Sequence, residues 1–264
     1  CQNLVKAMFA DKIFSKEIKM SGVNSINWAR IIAQSVYYFY SYFLIEGNNQ
    51  PVNFSVPTGN FGDVYAGYLA KKMGLPINKL VVATNRNDIL HRAISKGIYE
   101  VEDVAETISP SMDIQIASNF ERLIYDLNNC NDTKTIDVMK DIKEKGKYTI
   151  DKKSLDKINV NFLSSQMSED EILKTIKAVY EKFDIVLDPH SAIGYGAFDK
   201  INLKGNNVVL ATAHPCKFPD AIEKAIDHKA ELPNELSFIL GEKENYDIIE
   251  NNLDKIKHHI KERI

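Results

Sequence analysis

The sequence has few cysteines and no long apolar run. Its three cysteines, Cys1, Cys130 and Cys216, are odd in number and show no paired spacing. This favours a reducing cytoplasm over a disulfide scaffold, and it argues against a metal site built on cysteine pairs. The longest apolar run, residues 36–45, is far short of the roughly 18 residues that a membrane span needs. No signal peptide is visible, although a segment preceding Cys1 would conceal one.

The sequence also lacks an excess of charge of either sign. Its 33 basic and 36 acidic residues give a net charge of −3, so neither nucleic acid nor an acidic membrane surface is expected as a partner. The chain is 264 residues long and 44% hydrophobic, which suffices for a sizeable core. This length predicts one large domain, or one domain with a small extension.

Neither of the two common glycine motifs for nucleotides occurs, but a shorter glycine-rich turn does. An alternating strand over 52–56 ends in this turn, and a helix follows over 63–73. Because Gly59 and Gly62 lack a Cβ, successive backbone N–H groups can point toward one anion, and the helix adds the positive end of its dipole. The spacing matches neither G-x-G-x-x-G nor a Walker-type loop. A small phosphorylated cofactor remains as the candidate ligand, although such a turn alone more often only connects a strand to a helix.

The rest of the chain alternates between helices and strands. The strand over 79–84 completes a strand–helix–strand unit, so its pairing with the first strand should be parallel. An aromatic helix over 24–43 is expected to pack in the core and at a subunit interface. It is not expected to be a platform for stacking nucleic-acid bases, because no basic residues interleave with its aromatics. Further predicted elements are helices over 1–9, 88–95, 119–128, 133–145, 168–183, 191–201 and 219–228, and a buried strand over 207–212. A charged terminal helix is predicted over 242–264, which Asn251 and Asn252 could interrupt.

Five segments together resemble one enzyme family. They are NSINWAR (24–30), PTGNFGD (57–63), SPSMDI with SNFERL (109–123), DPHSAIGYGAF (188–198) and ATAHPCKF (211–218). With CQNLVKAMF at the start of the chain, they resemble threonine synthase, and the resemblance extends to about residue 226. No single segment settles the family, but five in this order are specific.

The resemblance implies an α/β domain of the tryptophan-synthase-β-like architecture (fold type II), with a parallel sheet flanked by helices. Residues 1–228 would form the cofactor-binding domain and 229–264 a helical extension. The implied enzyme uses pyridoxal 5′-phosphate to convert O-phospho-L-homoserine and water to L-threonine and phosphate, because no side chain supplies the electron sink that this elimination needs. The resemblance leaves open whether the protein forms a homo-oligomer. The alternatives are another lyase of this fold, such as a threonine dehydratase or a phospho-amino-acid lyase, or an inactive fragment that keeps only the phosphate cradle.

The expected cofactor-binding residues lie in two of these segments. Backbone N–H groups at the turn should hold the cofactor phosphate. Those residues are Gly59, Asn60, Phe61, Gly62 and Asp63. The resemblance places the hydroxyl of Thr212 near the pyridine nitrogen, where a neutral hydroxyl need not keep that nitrogen protonated. Without the resemblance, a threonine at a strand end is ordinary, and Asp63 also fits a helix cap.

The expected substrate carries a dianionic phosphate, which calls for guanidinium, amide or hydroxyl donors. The candidates are Asn24, Ser25, Asn27 and Arg30. Arg30 lies three residues after Asn27 and would share a helix face with it, but a surface salt bridge explains Arg30 equally well. Asn87 and Asp88 could line the same crevice, although turn formation explains them too.

The sequence departs from the family in one respect. The family's Schiff-base lysine lies in a Phe-Lys-Asp type motif upstream of the segment resembling CQNLVKAMF, and that motif is absent here. The chain is therefore expected to be a C-terminal portion without a catalytic residue of its own, and inactive alone. Lys217 lies outside the expected motif. His190 and His214, each next to a proline, are expected to be structural, because the lysine normally handles proton transfer in this class.

Overall fold

The structure, a computed structural model, describes residues 2–22, 27–45, 50–239 and 241–264. The chain falls into two compact units, one formed by residues up to 24 together with 232–264, and the other by residues 25–231. The predicted division at residue 228 stays a prediction. The candidate site described below lies wholly within the larger unit.

Helices make up most of the regular structure. In the described residues the helices are α1 (Gln2–Ala10), α2 (Lys12–Glu17), α3 (Trp28–Leu44), α4 (Gly62–Lys72), α5 (Ile89–Lys96), α6 (Phe120–Leu127), α7 (Asp132–Lys145), α8 (Lys152–Asn161), α9 (Glu169–Phe183), α10 (Pro189–Ile201), α11 (Pro219–Ile226) and α12 (Leu253–Lys261). The strands are β1 (Val52–Pro57), β2 (Ile77–Thr84), β3 (Ile98–Glu100), β4 (Lys147–Thr149), β5 (Phe162–Gln166) and β6 (Asn206–Val209).

A parallel sheet organises the larger unit. Its order is β5–β2–β1–β6, and β1 pairs in parallel with β2, with Phe54 opposite Leu80 and Val56 opposite Val82. The prediction of a parallel pair is therefore confirmed. β3 and β4 form a separate antiparallel pair.

Both faces of the sheet are covered by apolar side chains. Leu80 and Val82 of β2 belong to one apolar cluster, which includes residues of α3, α4 and α5. The alternate residues Val81 and Ala83 belong to a second cluster, which includes residues of α9, α10 and α11. Because successive side chains of a strand point to opposite faces, the two clusters lie on opposite sides of the sheet.

The predicted buried strand over 207–212 is wrong in both extent and burial. β6 pairs with β1 at the edge of the sheet formed by the described residues, and Asn207 is exposed. The N–H of Leu210 still donates to the carbonyl of Ser55 at 3.0 Å. Thr212 lies beyond the strand and is exposed. The β-branched content of this segment therefore suits a half-buried edge strand as well as a central one.

The predicted terminal helix over 242–264 is also too long, but the interruption predicted at Asn251 and Asn252 is confirmed. α12 begins after Asn252, whose side chain accepts hydrogen bonds from the N–H groups of Asp254 and Lys255. Residues 242–252 are not helical. A high density of charged side chains indicates exposure but not helical structure, and the asparagine cap sets the start of the helix.

The aromatic helix α3 begins later than predicted and buries fewer of its aromatics. Asn27 caps it, and residues 24–26 of the predicted helix lie outside the described residues. Tyr38 is fully buried against Phe54, whereas Tyr37 and Tyr40 are exposed. Core packing is therefore confirmed for Tyr38 and wrong for the two exposed tyrosines, while the interface half of the expectation stays a prediction.

The smaller unit brings together segments that are far apart in sequence. α1 and α12 are in contact, and Lys257 of α12 pairs with Asp11 at 2.6 Å. Lys261 pairs with Glu17 at 2.6 Å, and the ammonium of Lys257 lies 5.4 Å from the ring centre of Phe14. Across the described residues of both units, no helix has the length and apolar character needed to cross a membrane.

Candidate active site

The turn that follows β1 carries a row of unpaired backbone N–H groups. The N–H of Thr58 donates to the carbonyl of Ala83 at 2.8 Å and ends the pairing of β1 with β2. Within the described part of the chain, the N–H groups of residues 59–63 donate to no protein acceptor. The row runs into the first turn of α4, where N–H groups have no partner within the helix. Such a row at the positive end of a helix dipole is an anion-binding arrangement.

Phe61, and not a glycine, adopts the unusual backbone conformation of this turn. Its φ is 63° and it is the N-cap of α4, a left-handed conformation that is strained for a bulky residue. Its fully buried ring holds it there, 5.3 Å from the ring of Phe120. The pattern assigned the conformational freedom to Gly59 and Gly62, but neither has a positive φ. Gly59 is needed for space, because a Cβ would lie 3.0 Å from the carbonyl oxygen of Ser111.

A cavity of about 220 Å³ adjoins this turn. Residues 57–63 line it, together with Arg30, Gln34, Ser111, His190, Thr212 and Lys217. The structure thus brings together the turn, Thr212 and Arg30, which the sequence places far apart.

Arg30 and Gln34 reach the cavity from α3. They are four residues apart and therefore share one face of the helix. A second cavity, of about 470 Å³, is also lined by both of them and by Asp63 and Thr212. The side-chain oxygen of Gln34 is buried and accepts no hydrogen bond from the described residues. Because a buried acceptor without a donor is costly, this oxygen marks a place where a ligand donor would be stabilising.

Asp63 is the acidic residue of the cradle, the turn of residues 59–63 whose N–H groups are unpaired among the described residues. The hydroxyl of Tyr38 donates to its carbonyl oxygen at 2.8 Å and lies 3.1 Å from its carboxyl Oδ1. Burial raises the pKa of Asp63 to about 6, although the hydrogen bond from Tyr38 opposes the rise. Asp63 therefore becomes partly protonated at a pH just below neutral, and in that form it repels an anion less than an ordinary aspartate would.

A series of hydrogen bonds connects Thr212 to His190. The N–H of Thr212 donates to the Ser191 hydroxyl oxygen at 3.1 Å, and that hydroxyl makes a short bond to the carboxylate of Asp188. The other carboxylate oxygen of Asp188 lies 2.8 Å from Nδ1 of His190. Burial alone would raise the pKa of Asp188, but the hydrogen bonds from His190 and Ser191 outweigh it and hold the pKa below its ordinary value.

Nε2 is the free end of the His190 ring. It is buried and has no hydrogen-bond partner among the described residues, although the ring lines the cavity and packs 4.8 Å from the ring of Phe218. The expectation of a structural role accounts for the Nδ1 contact but leaves Nε2 without a function. His214, by contrast, is exposed and caps a short 3-10 turn through Nδ1.

Two further candidates, Asn27 and Asn87, are described by the structure and do not line the cavity. The side chain of Asn27 accepts from the N–H of Ala29 and caps α3, while Asn24 and Ser25 lie outside the described residues. The side chain of Asn87 donates to the carbonyl of Ala105 at 2.8 Å, as expected for a residue that shapes a turn.

Asp113 fixes the loop that closes over Gly59. Its carboxylate accepts from the side chains of Asn85 at 2.8 Å and Thr107 at 2.6 Å, and from the Thr107 N–H at 2.8 Å. Because this network holds the loop, Ser111 approaches Gly59 closely. The carboxylate of Asp113 therefore shapes the loop and not the cavity itself.

Sequence reasoning missed three residues of the cavity. Gln34 carries no signal apart from its i, i+4 spacing from Arg30. Lys217 lies outside the family's lysine motif, and the sequence gives no other reason to place it at the site. His190 was judged structural, although the Asp-Pro-His order could have suggested an imidazole held by a carboxylate.

Comparison with known proteins places this site in context. A family model described as "Threonine synthase, C-terminal" matches residues 191–260. Threonine synthases of Pseudomonas aeruginosa and Saccharomyces cerevisiae are 44% and 42% identical over 97% and 100% of this chain. The alignments cover 55% and 57% of those relatives, so the chain spans a little more than half of their length.

Solved structures agree with the sequence relatives. A pyridoxal-phosphate-bound threonine synthase from Brucella melitensis superimposes with a TM-score of 0.93 at 45% identity, covering 99% of this chain and 57% of that one. The yeast enzyme gives a TM-score of 0.88 with the same coverage. In sequence and in its fold type II α/β architecture, the chain is similar to the C-terminal part of threonine synthases.

Proposed function

We propose that this chain supplies cofactor- and substrate-binding residues of a threonine synthase, which converts O-phospho-L-homoserine and water to L-threonine and phosphate. The observation that carries the proposal is the meeting, in one cavity, of the unpaired N–H groups of residues 59–63 with Arg30 and Thr212. Two separate anion-binding elements, a backbone cradle and a guanidinium, suit a phosphorylated cofactor together with a phosphorylated substrate.

The cavity fits pyridoxal 5′-phosphate on structural grounds. The N–H groups of Gly59, Asn60, Phe61, Gly62 and Asp63 would bind its phosphate. A Cβ at Gly59 would lie 3.0 Å from the carbonyl oxygen of Ser111, so the turn keeps its shape only without a side chain at this position. When bound, the cofactor supplies the electron sink that protein side chains lack. The hydroxyl of Thr212 would meet the pyridine nitrogen, and the hydrogen bond that its N–H donates to the Ser191 hydroxyl oxygen fixes the backbone at this point.

Arg30 would bind the phosphate of the substrate. Its guanidinium can present two parallel N–H donors to phosphate oxygens, and Gln34 lies beside it on the same face of α3. Asn24 and Ser25 remain proposed substrate contacts. Asn27 would have to release its cap on α3 to join them, so its role as a cap is the better supported one.

The cell compartment and the oligomeric state belong to the same proposal. We place the protein in the cytoplasm because Cys130 and Cys216 are free thiols, as a reducing compartment favours. A homo-oligomer is consistent with the outward face of α3, where Ile32, Val36 and Tyr40 are exposed and no charged side chain interrupts this i, i+4 row.

Assay of the complete protein tests the proposed function. With pyridoxal 5′-phosphate present, O-phospho-L-homoserine should yield inorganic phosphate and L-threonine in equal amounts. Formation of 2-oxobutanoate from L-threonine, without phosphate release from the phosphorylated substrate, would instead identify a dehydratase of the same fold.

A further inference from the structure

The most unusual group of the cavity is the imidazole of His190. The residue is 4% exposed, and within the described residues its Nε2 has no hydrogen-bond partner. Buried polar atoms are nearly always paired, so an unpaired one needs a reason. The ring is not loosely held, because Asp188 fixes it through Nδ1 at 2.8 Å and Phe218 packs against its face. The protein therefore fixes the ring at the wall of the cavity and leaves the buried Nε2 without a partner among the described residues.

The carboxylate of Asp188 determines which nitrogen carries the first proton. Hydrogen bonds from His190 and Ser191 hold its pKa below the ordinary value despite burial, so it is an acceptor at neutral pH. Nδ1 must then be the donor in this contact. Nε2 is left either with a lone pair or, once it binds a second proton, with an N–H that can donate.

The cavity around His190 suits an anionic ligand. Arg30 and Lys217 line the same cavity, as do the N–H groups of the cradle, so the ligand groups that suit this environment are anionic. The cradle already accounts for one phosphate, that of the cofactor. A second phosphate would require donors of its own. An imidazole that donates from both nitrogens carries a positive charge, and the Asp188 carboxylate, 2.8 Å from Nδ1, would neutralise that charge.

We propose that His190 is a binding residue for the phosphate group of the substrate, with Nε2 donating a hydrogen bond to a phosphate oxygen and Asp188 positioning the ring. This inference rests on the proposed function, because it needs a second phosphate beside that of the cofactor. It assigns a function to the Asp-Pro-His segment, which otherwise only begins α10.

Nuclear magnetic resonance on this chain tests the inference directly. The chain is labelled with ¹⁵N, saturated with pyridoxal 5′-phosphate and then titrated with inorganic phosphate as the probe. The cradle amides of residues 59–63 should respond to the first ligand. The Nε2 signal of His190 should move to the range of a protonated ring nitrogen with the second ligand.

Substitutions give an independent measurement of phosphate affinity. His190→Phe keeps a ring against Phe218 but removes both nitrogens, and it should weaken binding of inorganic phosphate about tenfold or more. His190→Gln keeps a donor near the position of Nε2 and should lose less. The control is His91→Gln, because His91 is half-buried and hydrogen-bonded to Ser164 away from the cavity. It should bind phosphate like the unmodified chain.

The outcomes separate the inference from the proposed function. If the cradle amides respond but Nε2 ignores inorganic phosphate, the inference is overturned and the proposed function stands. A response of Nε2 to pyridoxal 5′-phosphate alone would assign His190 to the cofactor, which also overturns it. Silence of the cradle amides would remove the proposed function and this inference with it. Should His190→Phe fail to fold, the titration of the unmodified chain and of His190→Gln still decides.

Discussion

Asp63 combines burial with a position in the first turn of α4. Its pKa is raised from the ordinary 3.8 to about 6, so the folded protein binds a proton there more tightly than the unfolded chain does. The resulting stability is fully present below pH 3.8 and is lost as the pH rises through about 6. Over this pH range, we expect the free energy of unfolding of Asp63→Asn to change by roughly 2–3 kcal/mol less than that of the unmodified chain.

Urea unfolding at several pH values between 3.5 and about 7.5 measures this effect, a range chosen to bracket both pKa values. Asp220→Asn is the matched control, because Asp220 is an exposed acid in the first turn of another helix, α11. It should leave the profile unchanged. Equal slopes for Asp63→Asn and the unmodified chain would contradict the raised pKa.

Substitutions of Arg30 distinguish a role in phosphate recognition from a role in the fold. In the complete enzyme, Arg30→Lys keeps the charge but loses the planar fork, and Arg30→Ala loses both. Activity on O-phospho-L-homoserine should fall in that order, by roughly tenfold or more for each hydrogen bond lost. Arg86→Ala, at an exposed arginine just after β2, provides the control. An equal loss of activity on an unphosphorylated amino acid would show that Arg30 is structural.

At the scale of elements, α3 and α4 pack so closely that their contact has no space for a methyl group. A Cβ on Gly67 would lie 2.4 Å from a ring carbon of Tyr38 and 2.8 Å from a methyl of Leu80. Gly67→Ala should therefore destabilise the fold by ~1–3 kcal/mol, although alanine is the better helix former. Thermal or urea unfolding measures the loss. In a Tyr38→Ala background the same substitution should cost clearly less, and purely additive losses would contradict the steric explanation.

The local elements beside the site were predictable because they follow local rules. The alternation in β1, the turn and the amphipathic α9 with its Ser168 capping box are all visible in short windows of sequence. β5 was missed because its Ser164 and Ser165 interrupt the apolar pattern, although the strand pairs with β2. Strand pairing depends on distant partners, and no short window contains them.

The same distinction divides the candidate site. The cradle was found because glycines and a helix start lie within a few residues of each other. The left-handed conformation at Phe61 was not, because the buried ring contact that holds it comes from Phe120. The link from His190 through Asp188 and Ser191 to Thr212 joins two segments and needs the folded chain to become visible.

For the whole molecule, the chain spans 55–57% of the length of its relatives, and the family's lysine motif is absent from its sequence. We therefore expect that this chain, mixed with pyridoxal 5′-phosphate and reduced with borohydride, carries no stoichiometric pyridoxyl group on any single lysine. Peptide mapping by mass spectrometry is the measurement. Lys217 is the site to inspect first, because it lines the cavity.

The same chain in urea gives the background labelling of accessible lysines. Labelling of one lysine well above that background would show that the chain contains its own cofactor lysine. If that residue were Lys217, the Lys217→Ala variant should abolish the labelling.

The smaller unit has a consequence for the order in which the protein folds during synthesis. Its helices come from residues before 22 and after 252, and the pairs Lys257–Asp11 and Lys261–Glu17 join them. The ribosome completes the larger unit before it makes α12, so that unit can fold first while α1 and α2 still lack their partner. Premature termination shortly before α12 would therefore release the larger unit with α1 and α2 lacking their partner, and such exposed surface would direct the product to chaperones and proteases.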